Sequence, residues 1–465
     1  MRTPLLAVAL LSLAATQAPP APDWSRIEAE TLKHFQALLR FDTADPPGQE
    51  ADAAAYLKQV LEAEGIPVET FALEPKRPSI VARLKGNGRR RPLLLMAHTD
   101  VVNVDPKKWT FPPFSATRDG GYVYGRGAVD DKDNVVTSLM VMLLLKRLNV
   151  PLDRDVIFLA ESGEEGSTHV GIQFMVNQHY PAVDAEYCLA EGGNVTRENG
   201  AAKFASVQTL EKRPYAVELV ARGPAGHGSV PLETNAVTHV SKAVAAVAAW
   251  TPPIRLNETT SAYFRRLAEI SPPEQAARYR AVLNPSTAAA ADEYFRKQEP
   301  RHASMLRTSI SPNIVQAGYR VNVIPSEAIA TLDVRGLQDE DMPALLEQIR
   351  KIVNDPSVEV RLAKRDTRPP GVGARIDSEA FKMIEGAVQQ HYKVITLPTM
   401  STGATDMAYL RSKGMQCYGI GPATDVEDGP KGFGAHSDQE RILESELHRF
   451  MRFYWDVVVQ LARTR

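Results

Sequence analysis

Two stretches, "PLLLMAHTD" (92–100) and "DVIFLAES" (155–162), carry apolar runs with no polar interruption. A strand that alternated between core and solvent would alternate in polarity, so these runs are strands covered on both faces, the pattern of a parallel sheet between helical layers. That confines the chain to the α/β layer folds. In open α/β sheets, ligands sit beyond the carboxyl ends of the strands. Both runs end there in side chains that bind metals: His98 and Asp100 after the first, Glu161, Glu164 and Glu165 after the second.

From Trp24 to about Lys212 helical spacing alternates with further short strands, "SIVARLKG" and "AEYCLAEGG". Between about Arg213 and Lys364 the order becomes strand "YAVELVARG", helix "TNAVTHVSKAVAAVAAW", strands "NIVQAGYR" and "EAIATLDVRG", helix "MPALLEQIRKIVND", strand "SVEVRLAK". This β-α-β-β-α-β order is the split-βαβ, ferredoxin-like layout. In its first helix Val237, Val240, Val244 and Val247 predict one buried stripe. A charged helical insertion, about 251–309, interrupts the unit, and "SAYFRRLAEI" with "AADEYFRKQE" predicts a hairpin arm. After Asp366 the α/β pattern returns with helix "SEAFKMIEGAVQQHY", strand "MQCYGIGP" and a long terminal helix. The expected fold class is α/β: a discontinuous three-layer catalytic domain, 24–212 and 366–465, into which 213–365 is inserted as a lid and dimerisation domain.

The first residues combine one positive charge, an apolar stretch from Leu5 to Ala15 and small residues at Ala14 and Ala18, which reads as a secretory signal over about 1–18. The apolar core is well short of the ~20 residues a spanning helix needs, so no stable membrane insertion is expected after processing. The expected location is periplasmic or secreted. There Cys188 and Cys417 are the two cysteines available to pair; both fall in buried strands, and free, packed thiols are expected. Lysine plus arginine total 54 against 56 acidic residues, and a net charge of −2 offers nothing to nucleic acid.

Two more groups join the strand ends: Glu191 after "EYCLA", and Asp130, Asp131 and Asp133 in "GRGAVDDKDN", a glycine-bounded turn opening a helix. Singly, a histidine after a strand is more often a satisfied core residue, and an aspartate at a helix start more often an N-cap. Together they would leave several carboxylates at one sheet edge, each costing several kcal/mol unless a cation compensates. Imidazole plus carboxylate without cysteine suits zinc, or exchangeable manganese or cobalt. The excess of carboxylates suggests two ions sharing one of them. His169, His179, His239, His302 and His391 lie in predicted helices or loops without such neighbours and read as structural.

"MAHTDVV", "GRGAVDDKDN", "GEEGS", "AEGG", "GPAGHGSVP", "VNVIPSEAIATLDVR" and "GAHSDQER" resemble, in order and spacing, the signatures of the co-catalytic dizinc peptidase and amidase family. That family includes carboxypeptidase S, glutamate carboxypeptidase, aminoacylase, carnosinase and acetylornithine deacetylase; the insertion is most similar to the carboxypeptidase S-like branch. The resemblance implies that His98, Asp130 and Glu191 hold one zinc and Asp130, Glu165 and His436 the other. It implies that Asp100 orients His98, that Glu164 is the general base, and that His227, often serving a partner subunit, donates to the oxyanion. Arg335, Asn322 and the backbone at Gly403 match positions lining the substrate pocket. A homodimer through the inserted domain is a further implication. The chain departs from the family pattern at Asp133, where a glycine usually follows the lysine.

The expected activity is hydrolysis of an amide bond beside a free carboxylate, in a small peptide or an N-acyl amino acid. A deacetylase or desuccinylase of a biosynthetic intermediate is the alternative within the enzyme class, set against export. A non-catalytic binding protein of the same fold would have no use for Glu164, and a phosphoesterase would need a phosphate-cradling loop.

Overall fold

A computed structural model describes residues 21–364 and 367–464. The expected leader lies outside the described residues, and among those described no helix is long and apolar enough to cross a membrane.

The first apolar run forms strand Leu93–His98, buried at every residue. Val156–Glu161 and Tyr187–Ala190 flank it in parallel, with His98 opposite Glu161. Alternate side chains enter separate cores, as the pleat requires. Leu93, Leu95 and Ala97 pack with Phe35, Leu143, Phe381 and Phe450 on one face; Leu94 and Met96 pack with Ile172, Met175 and Leu410 on the other. Helix Lys132–Arg147 is buried on every side from Lys132 to Leu145, which explains why "VVTSLMVMLLL" shows no polar face.

The central sheet orders its strands Val68–Phe71, Ser79–Leu84, Val156–Glu161, Leu93–His98, Tyr187–Ala190, Gln416–Gly419, Ala201–Glu211, Asn194–Glu198 and Ala423–Asp425. Ile395–Ser401 pairs in parallel with Ala201–Glu211. This last strand is absent from the sequence expectation because Pro398 interrupts it; among the described residues its other edge bonds to no strand, where a missing N–H is tolerated. Cys188 and Cys417 sit opposite one another on adjacent strands, both free and buried.

A second sheet orders Ser309–Ala317, Glu327–Gly336, Arg213–Arg222 and Val358–Leu362, every pair antiparallel. Helices Ala236–Ala249 and Met342–Val353 cover one face through Val240, Val247, Leu345 and Ile349. The valine stripe needs correction. Val237 is 37% exposed, and the buried set is Ala236, Val240, Ala243 and Val247. Alanines fill the interface where helix and sheet approach closely, turning the stripe by about one residue.

The insertion is no arm. Glu258–Ile270, Pro273–Ala281, Ala288–Gln298 and Pro300–Met305 are four helices around stacked Phe264 and Phe295. Their apolar side packs on Leu210, Leu397 and Met400, so the insertion covers the strand pair Ala201–Glu211 and Ile395–Ser401 of the large sheet.

Candidate metal centre

Three parallel neighbours deliver His98, Glu161 and Glu191 to one rim of the sheet. Asp130 arrives from the turn before helix Lys132–Arg147, joined to Asp131 by a cis peptide. His436 comes from the loop between Ala423–Asp425 and Arg441–Leu443, with its backbone in the left-handed region at φ 59°. Arg441 anchors that loop, lying 3.9 Å from the Tyr122 ring centre and 4.1 Å from that of Phe433.

The ligand atoms form two groups, His98–Asp130–Glu191 and Asp130–Glu165–His436, each with its atoms within 4.8 Å of one another. Asp130 is common to both. Its Oδ1 lies 3.1 Å from Nε2 of His98 and its Oδ2 3.2 Å from Nε2 of His436, so one oxygen faces each group. His436 Nε2 is also 3.0 Å from Glu165 Oε2.

The charges call for cations. Burial pushes the Glu191 carboxyl well above the usual range, and the charges of Glu164 and Asp130 push it further. Burial opposes a charge on His98, yet hydrogen bonds with Asp100 and Asp130 lift its imidazole well above the ordinary value. Hydrogen bonds to Asp130 and Glu165 push His436 up to about 10. The donor set, one imidazole and two carboxylates in each group with no sulfur, fits a divalent cation such as zinc in each place.

Asp100 acts on two parts of this site. His98 Nδ1 donates to its backbone carbonyl at 3.0 Å, and its carboxylate lies 3.6 Å from the same nitrogen. That carboxylate accepts the backbone N–H groups of Glu164, at 3.2 Å, and Glu165, at 2.9 Å. It therefore fixes the loop that presents both glutamates. The loop turns at Gly163, φ 80°, where a Cβ would stand 2.6 Å from the Ser167 carbonyl.

Glu161, Asp131 and Asp133 stand outside both groups. Asp131 accepts from the backbone N–H of His98 and from Asn134 Nδ2. Asp133, where the resemblance leads to an expected glycine, is fully buried with neither oxygen partnered among the described residues. Burial and the charge of Asp131 push its carboxyl well up.

A cavity of about 590 Å³ opens over the centre, a size suited to a small substrate. Glu164, Arg335 and Gly403 line it together with Asp130, Glu165, Glu191 and His436. Burial and the charge of Asp406 hold the Glu164 carboxyl well above the usual range. His227 and Asn322 are elsewhere. His227 pairs with Val323 in a two-residue ribbon, and both His227 and Asn322 are exposed and line no part of the cavity. Sequence reasoning missed Arg368, which lines the cavity 3.4 Å from Glu164 and 3.2 Å from Asp406. Its one signal was an arginine before the double proline of "TRPPG", at the return to the large sheet.

His239, His302 and His391 pair with Asp355, Glu299 and Asp456, and none of the five histidines read as structural joins a metal-binding group among the described residues.

A doubly covered sheet whose carboxyl rim gathers two imidazole–carboxylate groups around a shared aspartate defines a metallo-hydrolase. Residues 94–460 match the peptidase family M20/M25/M40, and the chain belongs to that family. It is 26% identical over 391 residues to a probable carboxypeptidase S-like 2 of Dictyostelium discoideum, covering 82% of this chain and 74% of the relative. To aminoacylase-1B of Rattus norvegicus it is 26% identical over 445 residues, 94% and 96% of the two chains. Its fold matches an M20 family metallo-carboxypeptidase from Sulfolobus solfataricus with a TM-score of 0.70 at 20% identity, covering 92% of this chain and 98% of that one. The YXEP protein of Bacillus subtilis, a dinuclear metal binding peptidase, matches with a TM-score of 0.61 at 14% identity, covering 94% and 99%. At these identities the structural likeness establishes the fold alone.

Proposed function

We propose that this protein is an exported zinc-dependent hydrolase that cleaves an amide bond beside a free carboxylate, either a C-terminal peptide bond or that of an N-acyl amino acid. One observation carries the reading: Glu164 lies outside both metal-binding groups yet shares their cavity with Arg335. A binding protein needs the groups; only a hydrolase needs the additional base.

His98, Asp130 and Glu191 would hold one zinc and Asp130, Glu165 and His436 the other; when bound, the pair polarises a carbonyl and acidifies water. Glu164 takes the proton from the attacking water and returns it to the leaving amine. Its raised affinity for protons suits both halves of that transfer. A guanidinium in the cavity anchors the leaving amino acid by its carboxylate, Arg335 being the one named by the sequence. Closure of the smaller unit over the cavity would exclude water.

His227 is given to the site of a second copy. What supports this is its position on an exposed ribbon beside Val321 (101% exposed), Tyr319 (85%) and Val230 (62%), an apolar surface suited to pairing. Mixing inactive Glu164→Ala and His227→Ala proteins tests it: regained turnover supports a shared site, and none contradicts it. Export rests on the leader alone, and N-terminal sequencing of the protein from its host tests it.

The activity is tested by offering purified protein a panel of dipeptides and N-acyl amino acids with and without a chelator. Chelator-sensitive release of the C-terminal amino acid is the expected result. Hydrolysis indifferent to the chelator, or none in the zinc-loaded protein, would overturn the assignment.

A further inference from the structure

Two arginines line the cavity, and their surroundings differ. Arg335 shares one face of strand Glu327–Gly336 with Asp333, two residues before it. Its Nε and Nη2 donate to the two carboxylate oxygens of Asp333 at 2.9 and 3.1 Å. One edge of its fork is therefore already filled from within the protein.

Arg368 is held by single contacts. Nη2 reaches Glu164 Oε1 at 3.4 Å and Asp406 Oδ1 at 3.2 Å, and Nε is buried without a hydrogen-bond partner among the described residues. The guanidinium lies 5.5 Å from the centre of the Tyr409 ring, which steadies its plane. Asp406 is buried, and neither of its oxygens finds a well-aligned donor. Arg368 is thus placed beside the base on the cavity wall, its Nη2 held by long single contacts that a substrate carboxylate could replace. An incoming carboxylate would offer the two-oxygen geometry that guanidinium prefers.

We propose that Arg368 is the principal group recognising the substrate's free carboxylate, and that in taking it Arg368 releases Glu164 to act on water. This rests on the functional reading above and deepens it. It ties carboxylate recognition to freeing of the base: a substrate lacking the carboxylate would enter the cavity but leave Glu164 paired. Arg335, tied to Asp333, is then a supporting contact.

The test compares an N-acyl amino acid with its C-terminal carboxamide on zinc-loaded wild type, R368Q and R335Q, with metal content measured on each. Wild type is expected to prefer the acid, and R368Q to lose about tenfold to a hundredfold of that preference in kcat/KM while keeping its metals. R335Q is expected to keep most of it. If R368Q slows acid and carboxamide equally, or if the preference is lost in R335Q and kept in R368Q, the proposal is overturned. Should R368Q fail to fold or to hold metal, R368K reads the same ratio, since lysine keeps the charge without the fork. A wild type that cleaves carboxamides as readily as acids would contradict the functional reading itself, an outcome distinct from unchanged selectivity in R368Q.

Discussion

The carboxyl rim of the large sheet and the exposed ribbon of the small one both carry a histidine expected to serve the reaction, in opposite settings. His98 is 1% exposed, bonded through both ring nitrogens, and surrounded by groups from three parallel strands and a helix start. His227 is exposed, bonded among the described residues only to nearby Ser229, and set among uncovered apolar side chains. The candidate ligands of the rim all come from one chain. The ribbon presents exposed apolar side chains instead.

The largest effect should come from breaking the rim at its shared point. Asp130→Ala is expected to lower bound zinc from about two ions per chain to less than one and to abolish turnover, read by elemental analysis and kinetics. Glu164→Gln separates binding from chemistry: both metals stay while kcat falls about 10²–10⁴-fold. Loss of zinc in that variant would show that Glu164 is a ligand. His227→Ala probes the ribbon and is expected to cost about 10²-fold in kcat with metal content unchanged. An unaffected rate would detach the ribbon from the reaction.

The smallest effect lies at the joint. Lys212 separates strand Ala201–Glu211 of one sheet from strand Arg213–Arg222 of the other. It is buried and, among the described residues, donates only to the hydroxyls of Ser304 and Ser309. Burial, reinforced by the charges of Arg307 and Arg335, lowers its ammonium to about 7. Between that value and the ordinary lysine range the unfolded chain binds the proton and the folded chain does not. Stability therefore rises with pH over that window, by at most about 1.4 kcal/mol per unit, and the gain is absent below it. Lys212→Met should flatten the slope in denaturant titrations from pH 7 to 10; an unchanged slope would place the proton elsewhere.

Much of the rim was legible because burial leaves a mark on sequence. Leu93–His98 and Val156–Glu161 read as doubly covered strands since both faces pack, and His98, which ends the first, falls in one of the two candidate metal-holding groups. Ile395–Ser401 did not, because Pro398 sits in it and its environment is set by a partner strand almost two hundred residues earlier. The tilt of helix Ala236–Ala249 was misread because its alanines pack as closely as its valines. That the insertion would lie on Leu210 and Leu397 was hidden for a related reason: an amphipathic helix announces an apolar face without saying what it will cover. Arg368 and Asp406 meet Glu164 only through tertiary closure, so no spacing announced them.

The central claim is that two cations share Asp130, and anomalous diffraction from zinc-soaked crystals tests it most directly. Two peaks about 3.5–4 Å apart, one against His98 and Glu191, the other against Glu165 and His436, with Asp130 reaching both, are the expected result. A single peak, or peaks away from Asp130, would contradict the account.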